Sequence, residues 1–175
     1  MGRTDWETPD HFIDFVEETL LFNFSFDVCA NDNNAKCANY FTPEDDALSK
    51  EWPREPTTCW MNPPYGREIG EWLNKAYEEA KKGSFVVALV PNSTDTDWFH
   101  DEIFQKADSI FLLRGRIQFV GGNSSPPYQG SILVVYGNYD SNPYPHTIPF
   151  IYSLDWRSWL KCWKKKNDRG GIKGN

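Results

Sequence analysis

At 175 residues the chain is long enough for one well-cored domain and too short for two ordinary ones. It has no apolar run approaching the roughly eighteen residues of a membrane span and no signal-peptide pattern at its polar start; nor do Cys29, Cys37, Cys59 and Cys162 form a Cys-x-x-Cys pair or zinc spacing with histidine. The expectation is a soluble, cytoplasmic protein without metal or disulfides, its thiols reduced and mostly buried. The net charge of −7 is unevenly spread: from Trp156 onward seven Lys/Arg face one Asp, leaving −13 on the preceding part. An acidic body excludes a broad basic face for nucleic acid and confines any such contact to local patches.

In chain order, Thr8 reads as a helix N-cap with Pro9 at the first helical position. Phe12, Ile13, Phe15, Val16 and Leu20 then recur at helical spacing, predicting an amphipathic helix to about residue 22. Residues 24–29 alternate like a strand and end at the small pair Cys29-Ala30, before an Asn-rich loop. Asp27 at that strand end suits hydrogen bonds from a ribose or an amino group, or else merely caps the loop. An acidic turn carries Asp45, Asp46 and Ala47. Residues 58–61 are a short apolar run, read as a buried strand, and Asn62-Pro63-Pro64-Tyr65 follows at its carboxyl end, the edge where open α/β sheets bind ligands.

Two prolines in succession fix two φ angles and remove two N–H donors, so this corner is stiff and rich in acceptors. The Asn62 side-chain oxygen, the Pro63 carbonyl and the flat face of Tyr65 suit a planar ring bearing an NH2 group. The lone pair of such an amine is delocalised into the ring. Two accepted hydrogen bonds draw the nitrogen toward a tetrahedral state and free the pair for attack, which is electrostatic preorganisation and needs no general base in the first step.

Beyond this corner, Ile69, Leu73, Ala76 and Ala80 predict a packing helix stopped by Gly83, and residues 85–90 predict a central parallel strand. A polar loop at 92–96, a short helix at 97–106 and a strand at 110–113 follow. Residues 114–119 read as a second strand, making a terminal hairpin with 131–136 across a Gly/Ser/Pro-rich loop. Residues 143–149 read as a linker-like bend. Trp156, Trp159 and Trp163 form an aromatic stripe at helical spacing, read as packing, before a Lys-rich end that is either a phosphate-binding tail or a solvated terminus. His11, His100 and His146 are given no chemistry.

Asn62-Pro63-Pro64-Tyr65 resembles the catalytic motif of amino-methyltransferases that use S-adenosylmethionine. Around it, Trp6-Glu7-Thr8-Pro9, Phe26-Asp27-Val28-Cys29-Ala30, Asn34-Ala35-Lys36-Cys37, Asp46-Ala47-Leu48, Gly115-Arg116-Ile117-Gln118-Phe119 and Ser131-Ile132-Leu133-Val134-Val135 stand in the order of the small phage-type DNA N6-adenine methyltransferases. That resemblance implies a Rossmann-like class I methyltransferase, an α/β fold with a mostly parallel central sheet and a terminal antiparallel hairpin in one compact domain. Its catalytic part would be residues 1–140, with residues 141–175 a C-terminal extension carrying the aromatic helix and basic tail.

The resemblance further implies catalytic Asn62, Pro63 and Tyr65. It implies an S-adenosylmethionine site lined by Trp6, Thr8, Pro9, Asp27, Cys29, Ala30, Asp46, Ala47 and Asn62, with Asp46 preferred to Asp45. Contacts to DNA would come from Pro64, Tyr65, Arg116 and Phe119, with Phe119 the second face of an aromatic clamp opposite Tyr65 around a flipped adenine. Read from the residues alone, Phe119 is equally a core side chain and Arg116 a surface ion-pair partner. Larger relatives carry a Gly-containing loop after one strand and a separate acid after the next; here a single segment holds Asp27, which is either the methionine-side or the ribose-side ligand. The reaction implied is methyl transfer to the N6 amine of adenine in DNA, without metal or covalent enzyme intermediate, in a bacterial host cytoplasm and from a phage or prophage. Two rivals stand beside it: the same chemistry on an RNA base amine or a protein glutamine amide, and a non-catalytic cofactor- or DNA-binding module. Recognition sequence and oligomeric state stay open.

Overall fold

A strand that is apolar at every position needs cover on both faces, and the run at residues 85–90 accordingly takes the middle of the sheet. In the computed structural model, which describes residues 7–121, 129–137 and 149–168, it forms β4 (Phe85–Pro91), buried from Val86 to Val90. The other strands are β1 (Phe26–Asp27), β2 (Asn39–Tyr40), β3 (Thr58–Met61), β5 (Ser109–Leu113), β6 (Ser131–Tyr136) and β7 (Phe150–Leu154), in the order β2-β1-β3-β4-β6-β5-β7. The pairs β2-β1, β1-β3, β3-β4 and β5-β7 are parallel, while β6 runs antiparallel to both β4 and β5. This is the mostly parallel α/β sheet expected.

Alternation along the central strands sends side chains into two cores. Cys59, Met61, Val86, Ala88 and Val90 meet Leu73, Ala76 and Ala80 of α2 (Ile69–Lys81) on one face. Trp60, Val87 and Leu89 meet Phe12, Phe15 and Val16 of α1 (Asp10–Leu20) on the other. α3 (Trp156–Asp168) closes this second core with Trp156, whose ring meets Phe12 edge-on at 4.9 Å and Phe15 at 5.2 Å. The tryptophan stripe therefore packs against α1.

Several local expectations are corrected. Thr8 does not cap α1: Pro9 holds the N-cap position with φ −63° and ψ 139°, no side chain caps the helix, and Thr8 is turned inward, 2% exposed. The helix stops at Leu20 because Leu21 is left-handed, its N–H bonding the Glu17 carbonyl. The short helix near residue 100 is a π-helix over Phe99–Phe104.

Residues 114–119 are not the strand paired with 131–136; β5 takes that place. Gly115, at φ +116°, turns the chain off β5, and the segment runs on toward α1. Ile117 and Phe119 sink into the α1 core, and Val120 bridges to Glu7 in antiparallel fashion. β2 and β7 went unforeseen. Both β7 and α3 come from residues 141–175, and they join the common sheet and the α1 core. The expected bend at 143–149 and the Gly/Ser/Pro-rich loop lie largely outside the described residues, as does the end of the basic tail. Of the four thiols only Cys59 is buried; Cys162 is exposed.

Candidate active site

The chain leaves β1 toward β2 on one side and leaves β3 toward β4 on the other. This divergence opens a crevice beyond the carboxyl ends of β1 and β3, the switch point where open α/β sheets take ligands. A cavity of about 340 Å³ lies there, within the range of small-molecule sites. Thr8, Asp27, Cys29, Ala30, Asp46, Ala47, Asn62 and Pro64 line it together. Pro9 is buried beside Thr8 and outside the lining, and Trp6 lies outside the described residues. Residues separated by more than fifty positions in sequence thus share one crevice.

Each wall has its own local cause. Asp27 ends β1 and is 3% exposed; its Oδ1 accepts the Cys29 N–H at 3.1 Å and its Oδ2 the Lys36 N–H at 3.0 Å. It therefore ties down the Asn-rich loop and borders the cavity at once, so its loop contacts do not take it away from the crevice. Burial raises its pKa to about 6 against the opposing pull of those N–H groups and of the Lys36 charge. Asp45 spends its carboxylate on the turn, accepting the Thr42 N–H at 2.8 Å and the Thr42 hydroxyl at 3.1 Å. Asp46, left-handed at φ 53°, is the acid that faces the cavity. The next residue is held from behind: Trp52 Nε1 donates to the Ala47 carbonyl at 2.8 Å, and Trp52 N–H donates to buried Glu79 at 3.1 Å.

Lys36 carries a role the sequence did not reveal. Its side chain, 5% exposed, brings the ammonium to 2.8 Å from both Glu7 and Asp10, while its backbone N–H donates to Asp27. Burial works to lower its pKa, but the hydrogen bonds it donates to Asp10 and Glu7 prevail and leave it raised. One lysine thus joins the Asn-rich loop to the entry of α1, and Lys36 and Glu7 both line the cavity. Glu68 and Trp72, from the start of α2, also line it.

At the proline corner, Pro63 is buried and Asn62, Pro64 and Tyr65 are half-buried. The Tyr65 hydroxyl donates to the Leu89 carbonyl of β4 at 3.3 Å, anchoring the corner to the sheet, and burial pushes its phenol pKa well up, keeping it neutral. Tyr65 and Phe119 meet, but not as two parallel faces: their centroids are 6.1 Å apart at 90°. Phe119 is 6% exposed and belongs to the α1 core, so this arrangement leaves no slot for a base between the rings. Arg116 is exposed on the same segment, and neither it, Tyr65 nor Phe119 lines the cavity.

Residues 2–152 match the sequence profile of the DNA N-6-adenine-methyltransferase (Dam) family. The chain belongs to that family. A DNA N-6-adenine-methyltransferase of Haemophilus phage HP1 is 28% identical over 119 residues, covering 68% of each chain. Another of Escherichia phage T1 is 26% identical over 121 residues, covering 69% of this chain and 50% of that one. A solved Listeria monocytogenes structure, provisionally described as a class I S-adenosylmethionine-dependent methyltransferase, aligns with TM-score 0.47 and 13% identity over 87% of this chain and 58% of that one. Dam enzymes methylate adenine in DNA and draw the methyl group from S-adenosylmethionine.

The cavity of this Dam-family chain fits that cofactor. Thr8 Oγ1 and Trp72 Nε1 are both shut off from solvent with no hydrogen-bond partner among the described residues, an arrangement a polar ligand would satisfy. Around them, Asp27 and Asp46 supply acceptors for hydroxyl and amine groups, and Val28, Ala30, Phe41, Ala47 and Leu48 supply apolar walls. No helix among the described residues is long and apolar enough to cross a membrane.

Proposed function

We propose that this chain binds S-adenosylmethionine in the crevice between β1 and β3 and methylates a flipped adenine of DNA presented from the far side of Asn62. The cofactor, when bound, supplies a methyl group made electrophilic by a sulfonium. Thr8, Asp27 and Asp46 bind it, while Ala30 and Ala47 keep its walls close and dry. Cys29 shapes the same wall, Pro9 backs it from beside Thr8, and Trp6 is a further proposed cofactor contact. The Asn62 side-chain oxygen and the Pro63 carbonyl accept the two hydrogens of the adenine amine. Under that pull the amine nitrogen would pyramidalise, freeing its lone pair for attack, and the proton it sheds would pass from N6 to water.

Tyr65, pinned through its hydroxyl to β4, offers one ring face to the base, with Pro64 beside it. Phe119 serves as the buttress behind Tyr65, because a perpendicular ring already in van der Waals contact fixes the tyrosine plane. For Phe119 to become an opposing face, a side-chain rotation on DNA binding would be needed. Arg116, exposed nearby, holds a phosphate. The site of action is the cytoplasm, where the DNA is.

The observation carrying this reading is the meeting of Thr8, Asp27, Asp46 and Asn62 around one cavity at the switch point. The direct test supplies methyl-labelled S-adenosylmethionine with adenine-containing duplex DNA, RNA and protein in parallel and analyses the digested nucleosides. N6-methyladenine in DNA is the result expected. Label only in RNA or in a glutamine amide would transfer the same chemistry to one of the rival acceptors, and no label anywhere despite cofactor binding would support a non-catalytic module.

A further inference from the structure

Trp72, four residues into α2, lines the cavity together with Thr8 while its ring packs against the α2 core. Its indole Nε1 is out of reach of solvent and meets no acceptor among the described residues. Indole nitrogen can only donate, and a buried donor left unmet is destabilising, so the position calls for an acceptor. Trp156 Nε1 is in a similar state, but it is enclosed against α1 and borders no part of this cavity. Because Trp72 lines the crevice, a ligand filling it is the candidate to supply that acceptor.

We infer that Trp72 and Asp46 form a donor–acceptor pair that reads the purine of the cofactor: Trp72 Nε1–H donates to an adenine ring nitrogen while the Asp46 carboxylate accepts from the exocyclic amine. Each hydrogen-bonding edge of adenine sets an NH2 donor beside an unprotonated nitrogen, N1 on one edge and N7 on the other. A carboxylate with an indole N–H complements either edge. Hypoxanthine has an oxygen in place of the amine, so it turns its O6 lone pairs on Asp46 and is rejected. The inference rests on the cavity being the S-adenosylmethionine site, and it adds to that reading the residue that selects the base.

The test is calorimetric and uses S-adenosylhomocysteine, its 1-deaza and 7-deaza forms, in which the ring nitrogen is replaced by C–H, and S-inosylhomocysteine. These are titrated into the full-length chain, Trp72→Phe and Asp27→Ala. The wild type is expected to bind the inosyl compound and one of the two deaza forms about tenfold more weakly than S-adenosylhomocysteine. Trp72→Phe, with an unchanged circular dichroism spectrum, is expected to lose about tenfold for S-adenosylhomocysteine and to show no further loss for that same deaza form. If neither deaza form weakens the wild type, a result needing no variant, the inference is overturned. It is equally overturned if Trp72→Phe binds like the wild type or keeps the full deaza penalty. Loss of affinity in Asp27→Ala with none in Trp72→Phe would leave the cavity as the cofactor site and remove only Trp72 from it. Unchanged affinity in both would place the cofactor elsewhere.

Discussion

Asp27 shows how one side chain can tie down a loop and still border the cavity. Its carboxylate is held by two backbone N–H groups and yet is buried enough that its pKa stands at about 6 rather than the ordinary 3.8. Between those values the folded chain keeps a proton that the unfolded chain has released, so this group makes the stability of the ligand-free protein fall as pH rises through that window. Cofactor binding runs the other way, because the acceptor needed by a hydroxyl or an amine is the carboxylate. Affinity for S-adenosylmethionine is expected to drop as pH falls below about 6. Asp27→Asn should bind more weakly at neutral pH and lose that dependence, and calorimetric titration across pH 5 to 8 checks both. Lys36 was invisible at this scale in the sequence. A lysine in a polar loop carries no signal when its partners Glu7 and Asp10 are 29 and 26 positions away.

At the scale of elements, β3, α2 and β4 were legible because each is long enough to show its period and is bounded by proline or glycine. The proline corner was legible for the same reason: its chemistry is local. Residues 114–120 do alternate as a strand should, with Ile117 and Phe119 inside and Arg116 and Gln118 outside. What alternation cannot encode is the neighbour, and Gly115 redirects the segment from the sheet to α1 and Glu7. β2 has two residues, too few for any pattern. β7 hides for another reason: Phe150, Ile151 and Tyr152 are all exposed on an edge strand, so no inside and outside positions can be told apart. The α1–α3 contact, by contrast, follows directly from the tryptophan stripe, and it yields a prediction. Trp156 is 2% exposed among Phe12, Phe15 and Trp159, so Trp156→Ala should cost about 3–5 kcal/mol of unfolding free energy, read from urea denaturation, while the crevice beyond β1 and β3 keeps its cofactor affinity in the folded fraction.

Across the whole molecule, α1 enters at the cavity, α2 leaves from it and the sheet separates the two cores, so the crevice is where three layers of the structure meet. Its Asn-rich loop, its acidic turn and the entry of α1 are joined by Lys36 and Asp27 rather than by regular secondary structure. A ligand bridging those segments should stabilise the fold as a unit. With S-adenosylhomocysteine at about 100 times its Kd, linkage gives about 2.7 kcal/mol, which for a chain of this size is a rise in Tm of about 5–10 °C. A smaller chain-wide response, or two separate transitions, would mean that the loops close independently of the core. The acidic body adds a second property of the whole: with −13 ahead of Trp156, attraction to DNA is confined to local cations, and binding should weaken with salt only in proportion to the few phosphates they neutralise.

The central claim is that the Asn62 amide oxygen and the Pro63 carbonyl activate a flat amine. The most direct measurement is single-turnover methyl transfer to an adenine-containing duplex by Asn62→Ala, with cofactor and DNA saturating and calorimetry confirming that both still bind. The account predicts a rate at least about 100-fold below the wild type, the usual consequence of removing one preorganised group. A rate equal to that of the wild type would contradict it.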